Sequence, residues 1–221
     1  ESLQGHGTGW CTAGESTAEA QLKNGDFYVY YSLDQNGNPT IPRAAIRTQE
    51  RSIAEVRGIA AEQNLDPYIG GVVQEKLKEF PDGAAYEKKT QDMKTLTTLE
   101  NKVKKGQELS KDDLAFLYEI NTRIEGFGYQ KDPRIEEVRN KRDIKTDLSF
   151  TFGISKERIS VNQSEALKGD VFFHYGDLFL DHLTSAEGLK LPERIGGNLD
   201  LGCLTSAEGL KLPESIGGNL N

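Results

Sequence analysis

The sequence predicts an α+β fold: a small antiparallel sheet with a helical subdomain, then a β-solenoid or leucine-rich-like repeat segment of 21-residue period. Three observations predict it. Aromatic and β-branched runs flank an Asn36-Gly37 pair near the start of the chain. The middle is charge-dense and carries apolar residues three and four apart, the mark of amphipathic helices. The last part repeats itself: Leu183 to Asp200 recurs as Leu204 to Asn221, differing only at Arg194/Ser215 and Asp200/Asn221.

These shifts in composition divide the chain into residues 1–65, 66–145 and 146–221. In the first, Ser16 to Leu22 is long enough for about two helical turns, and Asn24-Gly25 ends them. Asp26 to Ser32 is aromatic and β-branched and reads as a strand. Asn36-Gly37 signals a type I′ hairpin, Ile41 to Thr48 returns as a second strand, and Ile53 to Gly58 alternates as a third.

Helices follow. Asp66-Pro67 supplies an N-cap and a first-turn proline. Ile69, Val72, Val73, Leu77 and Phe80 share one face, and Pro81-Asp82-Gly83 stops the helix. Met93, Leu96 and Val103 mark a second helix, closed by Lys104-Lys105-Gly106 at the negative end of its dipole. Ser110 caps a third, with Leu114, Leu117 and Ile124 on its face, and Asp132-Pro133 opens a fourth that runs to about Arg142.

In the third segment the repeats fall near 162–182, 183–203 and 204–221, the first being degenerate. A short period of this kind suits stacked units that bury their leucines only against neighbours. Val171-Phe172-Phe173 reads as an atypical capping unit. The chain opens at Glu1 and stops inside a repeat, so it reads as a fragment.

Composition narrows the function. A formal net charge of −8 argues against a general nucleic-acid binder, which needs a basic face. No apolar run approaches the roughly 20 residues of a membrane helix. Two cysteines exclude a disulfide scaffold and a four-cysteine zinc site, and with no signal segment they suggest the cytoplasm. No metal or cofactor is implied.

The densest candidate chemistry is Gly5-His6-Gly7-Thr8-Gly9-Trp10-Cys11. Glycines let a ligand approach the backbone, and a histidine near a cysteine is the minimum for a thiolate nucleophile. Cys11 with His6 is therefore the candidate catalytic pair, against the alternative that Cys11 is a small buried hydrophobe. Trp10, Tyr30, Arg43, Arg47 and Arg57 are the candidate binding residues; the arginines form either a local basic patch or a solvated strand face.

Thr8 to Ala13, Asn24 to Tyr31, Pro42 to Arg47 and Glu55 to Gly58 together resemble the PcfJ-like domain of plasmid and phage proteins, over about residues 5–65. That family shows a Cys-containing turn, a helix, a glycine and strands. Its usual histidine before the cysteine is Trp10 here. The resemblance implies an accessory protein of a bacterial or mobile-element system. The sequence thus supports a protein-interaction or accessory protein with an N-terminal module displayed on a repeat array, its partner a protein. A cysteine-dependent enzyme using Cys11 and a nucleic-acid-processing accessory protein are the alternatives.

Overall fold

A computed structural model describes residues 15–59 and 64–221. The chain divides into two compact units, residues 1–90 and 91–221.

The first unit begins with α1 (Glu15–Leu22), followed by the strands β1 (Phe27–Leu33), β2 (Pro39–Gln49) and β3 (Ser52–Gly58) in an antiparallel sheet of order β1-β2-β3. The first hairpin differs from the type I′ turn expected at Asn36-Gly37. Gly37 has φ 82°, but Asn36 is not in the left-handed region. The Asp34 carboxylate instead accepts from the Asn36 and Asn38 amides, both at 2.8 Å, and makes a wider loop. The tight turn is the second one. Gln49 pairs with Ser52, and Glu50 and Arg51 lie at φ 51° and 76°. Neither is a glycine or asparagine, so the sequence carries no mark of this turn.

One face of the sheet packs on α2 (Pro67–Leu77). Ala44, Ile46 and Ile53 meet Ile69, Val73 and Leu77, with Tyr28, Tyr30, Val56, Phe80 and Tyr86 around them. The Asp66 side chain caps α2 by accepting from the Tyr68 and Ile69 amides. Two long-range hydrogen bonds tie β3 to the helical side: Ile53 N to Asp82 Oδ2 at 2.9 Å and Val56 N to Tyr86 Oη at 3.0 Å.

The helix α3 (Gly83–Lys104) starts well before the Met93 stripe that announced it. In the second unit, α4 (Lys111–Leu117) begins at a reciprocal capping box between Ser110 and Asp113. It ends short of the expected Ile124 because Glu119 turns left-handed at φ 54°. Next come α5 (Pro133–Arg139) and α6 (Ile144–Phe152). Asp143 caps α6 through the Thr146 amide and Gly153 ends it at φ 70°. Leu99, Leu109, Leu114, Leu117, Val138 and Leu148 form the core of this unit, and Ile159 and Phe173 join it.

The expected β-solenoid or leucine-rich-like segment is corrected. Residues 159–221 build a four-stranded parallel sheet from β4 (Ile159–Ser160), β5 (Phe173–His174), β7 (Arg194–Ile195) and β9 (Ser215–Ile216), beside a two-stranded parallel sheet from β6 (Leu178–Phe179) and β8 (Leu199–Asp200). The short helix α7 (Gln163–Ala166) lies between β4 and β5 in sequence. Every strand in both sheets is two residues long. The physical reason is punctuation: Gly176, Gly188 and Gly209 at positive φ, with Pro192 and Pro213, leave no longer extended run. The first strand also enters outside the repeat, since Ile159 pairs with Phe173, whereas Phe173 pairs with Arg194 and Arg194 with Ser215. The molecule is therefore α+β with one small antiparallel and one four-stranded parallel sheet, and seven α-helices among the described residues.

An Asx ladder runs beside these strands. Asp177 Oδ1 accepts from Asn198 N at 2.6 Å, and Asn198 Oδ1 accepts from Asn219 N at 2.7 Å. Gly197 must be glycine here, because a Cβ would stand 2.3 Å from Asp177 Oδ1 and 2.5 Å from the Gly176 carbonyl carbon.

Candidate protein-interaction site

Of the residues singled out from the sequence, Tyr30, Arg43, Arg47 and Arg57 are among the described residues. His6, Trp10 and Cys11 lie outside the described residues. Tyr30 sits half-buried on the sheet face that packs on α2, and burial pushes its hydroxyl pKa up. Arg43 donates to Asp66 Oδ2 at 3.0 Å and to Ser32 Oγ at 2.7 Å, serving the cap of α2. Arg47 and Arg57 meet at one carboxylate, Glu55, where Arg57 Nε donates at 2.5 Å and Arg47 Nε stands 3.8 Å away.

A different place stands out: the connection from Glu119 to Pro133, between α4 and α5. Its base is fastened at several points. Glu119 Oε1 accepts from the Ile124 amide at 2.9 Å, and its Oε2 faces Lys131 Nζ at 2.5 Å and Arg139 Nη2 at 3.0 Å. Burial would raise the Glu119 pKa, but the Lys131, Ile124 and Arg139 hydrogen bonds outweigh it and hold the carboxyl below its usual range. Ile124 is buried with Leu96 and Ile135. The Glu125 amide donates to Asp92 Oδ2 at 2.9 Å. On the far side, Arg134 Nη2 donates to Asp132 Oδ2 at 2.7 Å and its Nη1 to Thr97 Oγ1 at 3.0 Å.

Arg139 holds this base to the end of α4. Its side chain is only 7% exposed. Its Nε donates to the Leu117 carbonyl at 2.8 Å, one of the carbonyls that the end of α4 leaves without a helical partner. The guanidinium carbon lies 5.9 Å from the Tyr118 ring centre and 6.0 Å from that of Tyr175. Tyr118 Oη donates to Asp147 Oδ2 at 2.7 Å, and Arg142 Nε reaches the same oxygen at 2.6 Å. Burial first, then the hydrogen bond to Asp147, pushes the Tyr118 hydroxyl pKa far up, so it remains a donor.

Between these anchors the segment Gly126-Phe127-Gly128-Tyr129-Gln130 stands out. Phe127 is half exposed and Tyr129 is fully exposed. Beside them is a recess of about 530 Å³ lined by Met93, Phe127, Tyr129 and Pro133. A second cavity, about 360 Å³, lies on the other side of the anchor and is lined by Tyr118, Glu119, Lys131, Arg139, Tyr175 and Asn198.

The charged side chains that fasten this connection pair with one another. Ser160 and His174 do form a hydroxyl–imidazole pair elsewhere, at 2.9 Å, but they are 0% and 2% exposed, so no substrate atom reaches the hydroxyl. Among the described residues no group of three or more His, Cys, Asp or Glu is placed to hold a metal ion, and no helix is long and apolar enough to cross a membrane. Sequence reasoning passed over the aromatic loop, although Gly-Phe-Gly-Tyr between two helices was its visible signal. Comparison with protein-family models, curated proteins and solved structures gave no match.

Proposed function

We propose that this chain is a protein-interaction module whose contact surface is the loop 126–130, with Phe127 and Tyr129 as anchors. One observation carries the reading: two large aromatic side chains exposed on a loop whose flanks are fixed by buried residues and ion pairs. Two large aromatic side chains exposed within three residues of one loop offer an apolar contact surface, and aromatic side chains are enriched at the centres of protein interfaces. Fixed flanks reduce the conformational entropy lost on binding. The acidic net charge favours a protein over a nucleic acid as that partner. An accessory role in a bacterial or mobile-element system rests on the PcfJ-like resemblance of residues 5–65.

The test is peptide display against the whole chain, with selected binders rescreened on Phe127→Ala/Tyr129→Ala and on Leu212→Ala, an exposed leucine elsewhere. The expected binders keep their affinity for the Leu212 variant and lose it for the double variant. Binders that ignore both aromatics, or no enrichment at all, would count against the reading.

A further inference from the structure

His174 is a histidine in a place that tolerates only one of its protonation states. It lies on β5 and is 2% exposed; Ser160, its register partner on β4, is 0% exposed. Ser160 Oγ is 2.9 Å from His174 Nδ1, and His174 Nε2 is 3.2 Å from the Asp177 carbonyl oxygen. A carbonyl can only accept, so Nε2 carries the ring proton. Nδ1 is then an acceptor, and the serine hydroxyl donates to it. A second ring proton on Nδ1 would force Ser160 Oγ to accept instead. Its own hydrogen would then lose the imidazole acceptor that it has beside the neutral ring.

The charges around the ring do not compensate. Glu165, on α7, is engaged by Lys145 Nζ at 2.7 Å. Asp177 is exposed and its carboxylate accepts from the Asn198 amide. Arg194, one position before the β7 partner Ile195, donates to Ser215 Oγ at 3.0 Å. Arg158, just ahead of β4, is paired with Glu193. Burial is the largest influence on the ring and lowers its pKa, ahead of the opposing pulls of Asp177 and Glu165.

We propose that the Ser160–His174 pair is an acid-sensitive latch that joins β4 to β5 and releases when His174 takes a second ring proton. The sign follows from linkage. The folded ring binds its proton more weakly than the unfolded one, so the latch contributes fully above the ordinary histidine pKa and is lost as pH falls below it. One proton changes the unfolding equilibrium by up to about tenfold per pH unit in that window. The amides that would report local release are Tyr175 N, which donates to the Ser160 carbonyl at 2.9 Å, and Gly196 N, which donates to the His174 carbonyl at 2.8 Å.

The experiment uses the full chain. Urea unfolding constants are measured from pH 8 to pH 5 for the unmodified protein, His174→Gln and His182→Gln, the last replacing an exposed histidine. Between pH 7 and pH 5 the unmodified chain and the His182 variant should gain unfolding more steeply than the His174 variant, by up to about tenfold per pH unit. Parallel pH profiles in all three would overturn the latch. Should His174→Gln fail to fold, ring ¹⁵N spectra of the unmodified chain decide the matter. His174 should remain the neutral Nε2–H form at pH values below the ordinary histidine pKa, and protection of the Tyr175 and Gly196 amides should fall as the His174 ring titrates. A His174 ring that titrates at the ordinary histidine pKa, with both amides equally protected throughout, contradicts the proposal.

Discussion

Arg139 shows how much of this molecule depends on single buried charges. It is fastened to the Leu117 carbonyl, to Glu119 and to Glu136, and it is flanked by two tyrosine rings. Removing it leaves a half-buried Glu119 carboxylate with one cationic partner fewer and a helix-terminal carbonyl without a donor. Arg139→Ala should cost about 3 kcal/mol or more, the range for breaking one side of a buried ion pair. The urea midpoint measures this, and a loss under about 1 kcal/mol would mean that Lys131 alone satisfies Glu119. Only the Glu136 pair, three residues back on the same helix, is visible in the linear sequence. Arg139 otherwise reads there as one charge in a solvated helix, because Glu119 and Leu117 lie 20 and 22 residues away. The same holds for Ser160 and His174, separated by 14 residues. Local patterns did locate the caps. Asp66, Ser110 and Asp132 each accept from backbone amides at the start of a helix, a pairing that needs only neighbouring residues.

At the scale of elements, the turns decide what could be read. Asn36-Gly37 looked like the tight hairpin turn, but the Asp34 carboxylate collects the amides of Asn36 and Asn38 and widens the loop. Glu50-Arg51 makes the tight turn with two residues that pay the Cβ penalty of the left-handed region. Arg51→Gly should therefore raise stability by about 0.5–1 kcal/mol, the Cβ relief less the entropy cost of glycine. Thermal or urea unfolding of the single variant checks the sign, and destabilisation would show that the Arg51 side chain makes a contribution larger than the strain. The aromatic loop belongs to this scale as well. Its exposure follows from where α4 stops and α5 begins, and α4 stops at the left-handed Glu119, which nothing in the local sequence demands.

At the scale of the whole molecule, the repeat was the most legible feature of the sequence and the least reliable guide to architecture. Identity between copies announces stacking in register, and residues 21 apart do pair, Phe173 with Arg194 and Leu178 with Leu199. What identity does not announce is strand length, which glycines and prolines restrict to two residues. The repeat end holds together through Leu178, Leu180, Ile195, Leu199 and Leu201, with Leu204, Leu210 and Ile216 packed against them. The helical core uses a separate set of residues, Leu99, Leu114, Leu117 and Leu148 among them. Deleting residues 204–221 should therefore lower the unfolding midpoint while leaving the helical circular-dichroism signal nearly unchanged. Collapse of the helical signal would mean that the two clusters fold as one cooperative block.

The interaction reading rests on Phe127 and Tyr129, and the most direct measurement is the affinity of a display-selected peptide for the chain with and without them. Isothermal titration of the unmodified protein, Phe127→Ala, Tyr129→Ala and the double variant gives that number. A central aromatic anchor is worth about 2 kcal/mol or more, so each single variant should weaken binding roughly 30-fold and the double variant should abolish it. Dissociation constants that stay within about threefold of the unmodified protein in all three variants would contradict the account and move the contact surface away from this loop.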